Sequence, residues 1–106
     1  MITEFANKVY QKLKQVPAGR VTTYKLLAAA VGCKSSRAVG QALRRNPFAP
    51  EVPCHRVIRS DLTIGGFKGK TTGPALNDKL ALLRQEGLEF KDGSLLDSDK
   101  IYRFIG

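Results

Sequence analysis

Cys54 and His55 are adjacent, and His55 is the only histidine in a chain of 106 residues. A thiol becomes a good nucleophile only as the thiolate, which nearby positive charge, a helix N-terminus or a base favours. Arg56 adds fixed positive charge next door. Neighbouring side chains often point different ways, so a bridging water is the natural link from His55 to the thiol. Adjacency alone still favours the plainer reading, a buried structural cysteine beside a histidine that caps something. Glu86 shifts that balance. Counting three on from Leu83 puts it at the end of the inward stripe of a helix, bordering the core and at the negative end of the helix dipole. A carboxylate so placed needs a partner, and His55 or one of the arginines is the natural one. A Cys–His–Glu chain follows the order of nucleophile, base and orienting group. The alternative is a Glu86 that turns outward at a frayed helix end.

Other chemistries find little support. Cys33, Cys54 and His55 are the only soft ligands, and no CxxC or HxxxH spacing joins them, so no metal and no other cofactor is expected. Gly65-Gly66-Phe67-Lys68-Gly69-Lys70 is glycine-rich but lacks the GxxxxGK[ST] spacing of a phosphate loop. Phe67 within it is either core or the wall of a pocket. Two cysteines do not make a disulfide framework, so a reducing, intracellular setting is the default. No apolar run reaches the roughly 18 residues of a membrane span, and the first residues lack the pattern of a secretory signal. The expectation is a protein with no membrane partner, in the cytoplasm or nucleoid, or in a eukaryotic nucleus.

Charge points to a class of partner. Lysine and arginine number 18 against 9 acidic residues, a formal net charge of +9. That excess in a small domain favours a polyanion, bound more weakly as salt rises. A merely soluble basic surface is the competing explanation.

The elements that must position these groups follow from periodicity. The length favours one domain, residues 1–106, and 42% hydrophobic residues suffice for one modest core. Phe5, Val9 and Leu13, with Ala6 and Val16 beside them, predict a helix over Thr3 to Val16, capped by Thr3. A second helix runs from about Thr23 to Val31, with Thr22 or Thr23 as cap, Leu26, Leu27, Ala30 and Val31 inward, and Gly32 as its end. In SSRAVGQALRR, Val39, Ala42 and Leu43 form the buried stripe, and Arg37, Gln41, Arg44 and Arg45 lie opposite. Two short helices across a tight turn, the second with arginines outward, read as a helix-turn-helix over about 23–45. An ordinary helical hairpin with a basic face fits nearly as well.

Pro47, Pro50 and Pro53 stiffen the stretch that leads into the active-site segment, residues 53–57. Val57-Ile58 starts a strand, and Leu62 to Phe67 reads as a strand and glycine-rich loop. Gly73-Pro74 opens another helix, with Leu76, Leu80 and Leu83 as its stripe and Gly87 as its stop. A turn at Lys91-Asp92-Gly93 suggests a small terminal hairpin. The fold class is mainly α with small β elements, a winged helix-turn-helix-like single domain.

VTTYKLLAAAVG, SSRAVGQALRRNP, VPCHRVI, GGFKG and LLRQEG, in this order over roughly residues 3 to 90, resemble the O6-alkylguanine-DNA alkyltransferase family, specifically its C-terminal active-site domain. The resemblance implies direct, single-turnover DNA repair: an alkyl group moves from O6 of guanine to Cys54 after the nucleotide is flipped out from the minor groove. It implies that His55 deprotonates Cys54 through water, that Glu86 orients His55, and that Asn46 holds the turn around the cysteine. Tyr24 matches the tyrosine that meets the extruded guanine and the rotated phosphate. Arg37 matches the arginine that fills the gap in the base stack. The carbonyls of Cys54 and Val57 match acceptors for the guanine amino group, and the N–H of Lys68 a donor to O6. Small Ser35, Ser36, Ala38 and Gly40 suit a helix entering a narrow groove, while Arg44 and Arg45 hold phosphates. The implied partner is double-stranded DNA containing O6-alkylguanine, met by a monomer.

Three features depart from the family pattern. The N-terminal domain is not seen, Lys68 stands where many members have serine, and Phe67 stands where tyrosine is common. The chief rival reading is an alkyltransferase-like protein that binds O6-alkylguanine, recruits other repair factors and transfers nothing. Such proteins typically replace the cysteine, often by tryptophan, and Cys54 is present here. A helix-turn-helix regulator with a structural cysteine and a thiol hydrolase are the remaining rivals, the last without an oxyanion-hole motif.

Overall fold

The computed structural model describes residues 3–48, 51–65 and 74–104. Three helices come first: α1 (Glu4–Leu13), α2 (Tyr24–Ala30) and α3 (Ser36–Arg44). Each begins at a hydroxyl that accepts from an orphan N–H three residues on. Thr3 accepts from Ala6 at 3.0 Å, Thr23 from Leu26 at 3.1 Å and Ser35 from Ala38 at 3.1 Å. Val9, Leu13 and Val16 are fully buried on α1 and just beyond it. Tyr10 is buried too, and its hydroxyl donates to the Ala42 carbonyl at 2.6 Å, tying α1 to α3. Phe5, expected inward, is only half-buried against that core. On α2, Leu27 and Ala28 carry the packing, whereas Leu26, Ala30 and Val31 are half-buried. With seven residues the helix makes two turns, and only the side wedged between α1 and α3 is covered. Gly32 ends it at φ +73°, a left-handed conformation that costs glycine little.

Cys54–Arg56 forms a single 3₁₀ turn and passes directly into β2 (Val57–Ile58). β2 pairs in parallel with β1 (Thr22–Thr23), Thr22 opposite Val57 and Thr23 opposite Ile58. Successive strand residues face opposite ways, and here this divides the interior. Val57 joins the core of α1, α2 and α3. Ile58 joins a second core made by Val21, Ile64, Leu83, Leu88, Phe90 and Leu95. The Cys54 turn is thus hung from the partition between the two.

The strand expected from Leu62 onward does not form over residues 62–65, the described part of that segment. Leu62 N–H donates back to the Arg59 carbonyl and Arg59 N–H to the Thr63 carbonyl, closing a tight turn with Leu62 at φ +71°. Only an isolated bridge, Thr63 with Ser94, remains of sheet pairing there. Phe67 and Lys68 lie outside the described residues. α4 (Pro74–Gln85) follows, and then a hairpin of β3 (Phe90–Lys91) and β4 (Ser94–Leu95). Its two-residue loop has Asp92 at φ +52° and Gly93 at φ +79°, the conformation a tight right-twisted hairpin requires. No helix among the described residues is long and apolar enough to cross a membrane.

Candidate active site

The end of α4 places the carboxylate. Gly87 adopts φ +91°, Gly87 N–H donates to the Arg84 carbonyl and Leu88 N–H to the Leu83 carbonyl. This is the paired closure of a helix on a left-handed glycine, with Leu83 and Leu88 both buried beneath it. Glu86 is the last residue before that glycine, so its position is set by backbone and core together.

Glu86 meets the Cys54 turn through two side chains. Arg56 Nε donates to Oε1 at 2.9 Å and Nη2 to Oε2 at 2.7 Å, a two-pronged grip. His55 Nε2 lies 3.1 Å from Oε2. Arg56 also donates from Nη1 to the Val16 carbonyl at 2.9 Å, so the same guanidinium reaches the end of the α1 segment. The sequence suggested Arg56 as a charge for Cys54; its donors are instead taken by Glu86 and Val16.

Burial acts on both partners of the pair. His55 is 5% exposed, and desolvation holds its imidazole below the usual 6.5, although the Glu86 carboxylate pulls the other way. Burial pushes Glu86 up, but the hydrogen bonds and charges of Arg56 and His55 outweigh it and hold the carboxyl below 4.5. At neutral pH the carboxylate is therefore ionised and the imidazole neutral. An ionised carboxylate only accepts, so Nε2 carries the ring proton and Nδ1 is the basic nitrogen.

Cys54 is half-buried with a free thiol, and its N–H donates to the Val52 carbonyl at 2.8 Å. Asn46 braces that approach from the end of α3. Its Nδ2 donates to the Val52 carbonyl at 2.9 Å, and its Oδ1 accepts from Phe48 N–H at 2.8 Å. Tyr24 is the first residue of α2, directly after β1, and its half-buried ring lies against Gly65. A Cβ at Gly65 would sit 3.5 Å from the Tyr24 ring and 3.4 Å from Arg59, and the φ of +72° also demands glycine. Burial raises the Tyr24 phenol, Arg59 lowers it and Cys54 raises it again, so Tyr24 and Cys54 share one electrostatic neighbourhood.

The side chains of the remaining sequence candidates take no part in the hydrogen bonds described for this cluster. Ser35, Ser36, Arg37, Arg44 and Arg45 are exposed along or beside α3, and Val57 is buried in β2. A Cβ on Gly40 would meet nothing within 4 Å, which leaves shallow relief on that helix. Lys68 lies outside the described residues. Among the described residues no group of three or more metal-binding side chains occurs. Cys33 is a second free thiol, in the turn between α2 and α3.

Sequence reasoning missed Lys79. It is fully buried, and its ammonium donates to the Val57 carbonyl at 2.7 Å and the Ile64 carbonyl at 2.6 Å. Desolvation lowers it to about 7, against an opposing pull from Cys54. The signal was present: Lys79 falls between Leu76 and Leu83 on the inward stripe and two turns before Glu86.

Comparison with known proteins adds the following. A family described as 6-O-methylguanine DNA methyltransferase, DNA binding domain, matches residues 4–88. A methylated-DNA–protein-cysteine methyltransferase of Methanosarcina acetivorans is 48% identical over 88 residues, 80% of this chain and 52% of the relative. Atl1 of S. pombe, solved with damaged DNA containing O6-carboxymethylguanine, superposes with a TM-score of 0.81 at 31% identity, over 94% of this chain and 95% of that one. The O6-methylguanine-DNA methyltransferase of the archaeon Pyrococcus kodakaraensis KOD1 gives 0.70 at 44% identity, over 81% of this chain and 47% of its own. The chain spans about half the length, or less, of the curated relatives it matches.

The two titrations set the acid stability. The depressed His55 value contributes stability in full above 6.5 and loses it as pH falls below. The lowered Glu86 value contributes in full above 4.5 and loses it further down. Denaturant midpoints should therefore fall in two stages between pH 7 and pH 3. Glu86→Gln should cost about 2 kcal/mol at pH 7 and erase the lower stage, measured by urea unfolding across that range.

Proposed function

We infer the function of this chain from its family and its site together: it belongs to the 6-O-methylguanine DNA methyltransferase family, whose DNA-binding domain matches four-fifths of its length. The reading is direct repair of DNA by transfer of an alkyl group from O6 of guanine to Cys54, once per molecule. The observation that carries it is the Cys54 turn itself, where a free thiol stands next to a neutral histidine oriented by an ionised glutamate.

The steps follow from that arrangement. An alkylated O6 is out of reach inside a duplex, so the nucleotide must leave the stack, at a cost of a few kcal/mol. Arg37, exposed in the first turn of α3, enters the vacated space and offsets part of that cost. Small Ser35, Ser36, Ala38 and Gly40 let α3 lie in the narrow minor groove, and Arg44 and Arg45 bind phosphates. Tyr24 meets the extruded base. The carbonyls of Cys54 and Val57 accept from its amino group, and the Lys68 N–H donates to O6.

His55 Nδ1 takes the thiol proton through a water, and the imidazolium so formed is paired with Glu86. The thiolate attacks the alkyl carbon as the bond from that carbon to O6 breaks. The electron pair stays on guanine, a hydrogen bond at O6 or on the ring stabilises it, and guanine takes up one proton, which balances the one given up by the thiol. The product is a thioether, a stable bond that the displaced guanine does not reopen, so each molecule acts once. Asn46 keeps the Cys54 turn in place during this exchange.

A second reading has one observation in its favour. Atl1, solved with O6-carboxymethylguanine DNA, matches the whole of this chain more fully than the longer methyltransferases do. On that reading the protein binds the lesion and transfers nothing. The thiol at position 54 is what separates the two.

Duplex DNA carrying O6-methylguanine with a labelled methyl group decides between them. Label should appear on the Cys54 peptide at up to one equivalent and never more. Tight binding with an unmodified Cys54 peptide would establish the damage-binding reading instead. In the same assay, Arg37→Ala should slow transfer from duplex at least about tenfold while leaving alkylation by a small electrophile unchanged. A normal duplex rate in that variant would remove Arg37 from the flipping step.

A further inference from the structure

We propose that Lys79 is a positioning residue of the transfer site: its ammonium pins the Val57 and Ile64 carbonyls together and so sets the wall of the pocket beside the Cys54 turn. The proposal rests on the alkyl-transfer reading for its purpose, and on geometry for its content.

A lysine without solvent contact is rare, and burying its charge is costly unless polar groups replace the water. Two such groups come from the segments on either side of the Arg59–Thr63 turn. Val57 leads out of the Cys54 turn, and Ile64 leads into Gly65, on which Tyr24 rests. One ammonium on α4 therefore fixes the spacing between the thiol's segment and the tyrosine's wall. The Val57 carbonyl has two lone pairs, so accepting from Lys79 leaves one for a base in the pocket. A carbonyl already held by a cation has lost its freedom to turn, and it meets an incoming amino group ready aligned.

Wild-type protein, Lys79→Met and Lys79→Arg are compared at pH 7 in single-turnover transfer of label from duplex O6-methylguanine DNA, with the affinity for the same duplex measured separately. Lys79→Met should slow transfer from bound DNA at least about tenfold and weaken binding of lesion duplex more than of undamaged duplex, and Lys79→Arg, which keeps a cation at this position, should restore part of both. A lysine that only holds the fold would lower the melting temperature and leave the rate of the folded fraction unchanged. A normal transfer rate and normal lesion preference in either variant that folds overturns the proposal. If wild type transfers no label at all, the alkyl-transfer reading fails, while the lesion preference still tests Lys79.

Discussion

The Glu86 carboxylate stands at the junction on which the rest of the site depends. It ends α4, it is locked there by the glycine closure at Gly87, and it receives donors from both residues that follow Cys54. Taken alone the placement is poor, because the C-terminal end of a helix repels negative charge and the surroundings are half desolvated. Arg56 answers both costs with a two-pronged grip and then reaches on to Val16. A paired charge of this kind adds little net stability compared with apolar packing. What it gives is direction: α4, the Cys54 turn and the end of the α1 segment are held in one relation, and His55 is fixed through Nε2 with Nδ1 left as the base.

Around that junction the fold divides into two cores with β2 between them. Val57 belongs to one and Ile58 to the other, so the turn carrying Cys54 cannot shift without disturbing both. β1 supplies the matching strand and runs straight into α2, which is how Tyr24 comes to the same neighbourhood as Cys54. The helix pair α2 and α3 packs into the first core through Leu27, Ala28, Val39, Ala42 and Leu43 and leaves Ser35, Ser36, Arg37, Arg44 and Arg45 exposed.

Much of this was legible in the residues because it is local. Hydroxyl caps at Thr3 and Thr23, the stripe of Val39, Ala42 and Leu43, and glycine closures at Gly32 and Gly87 are each decided within a turn or two. The need of Glu86 for a partner was legible for the same reason, although which donors would come was not. Arg56 lies thirty positions away in the chain, and nothing local selects that pairing. The parallel match of Thr22-Thr23 with Val57-Ile58 was hidden as well, since two-residue strands show no alternation. Leu62 to Ile64 misled because a short apolar run fits a turn as readily as a strand once a left-handed residue is allowed. Lys79 was overlooked because a lysine is ordinarily assigned to the wet side of a helix. The count that brought Glu86 inward applied equally to it.

The account stands on one buried carboxylate organising the acceptor through Arg56 and His55, and a double-mutant cycle tests that most directly. Single-turnover transfer of label to Cys54 would be measured for Arg56→Met, Glu86→Gln and the pair. Removing both should cost scarcely more than removing either, a coupling of at least about 1 kcal/mol. Costs that simply add would mean that the two residues act independently, and the carboxylate would lose its place at the centre.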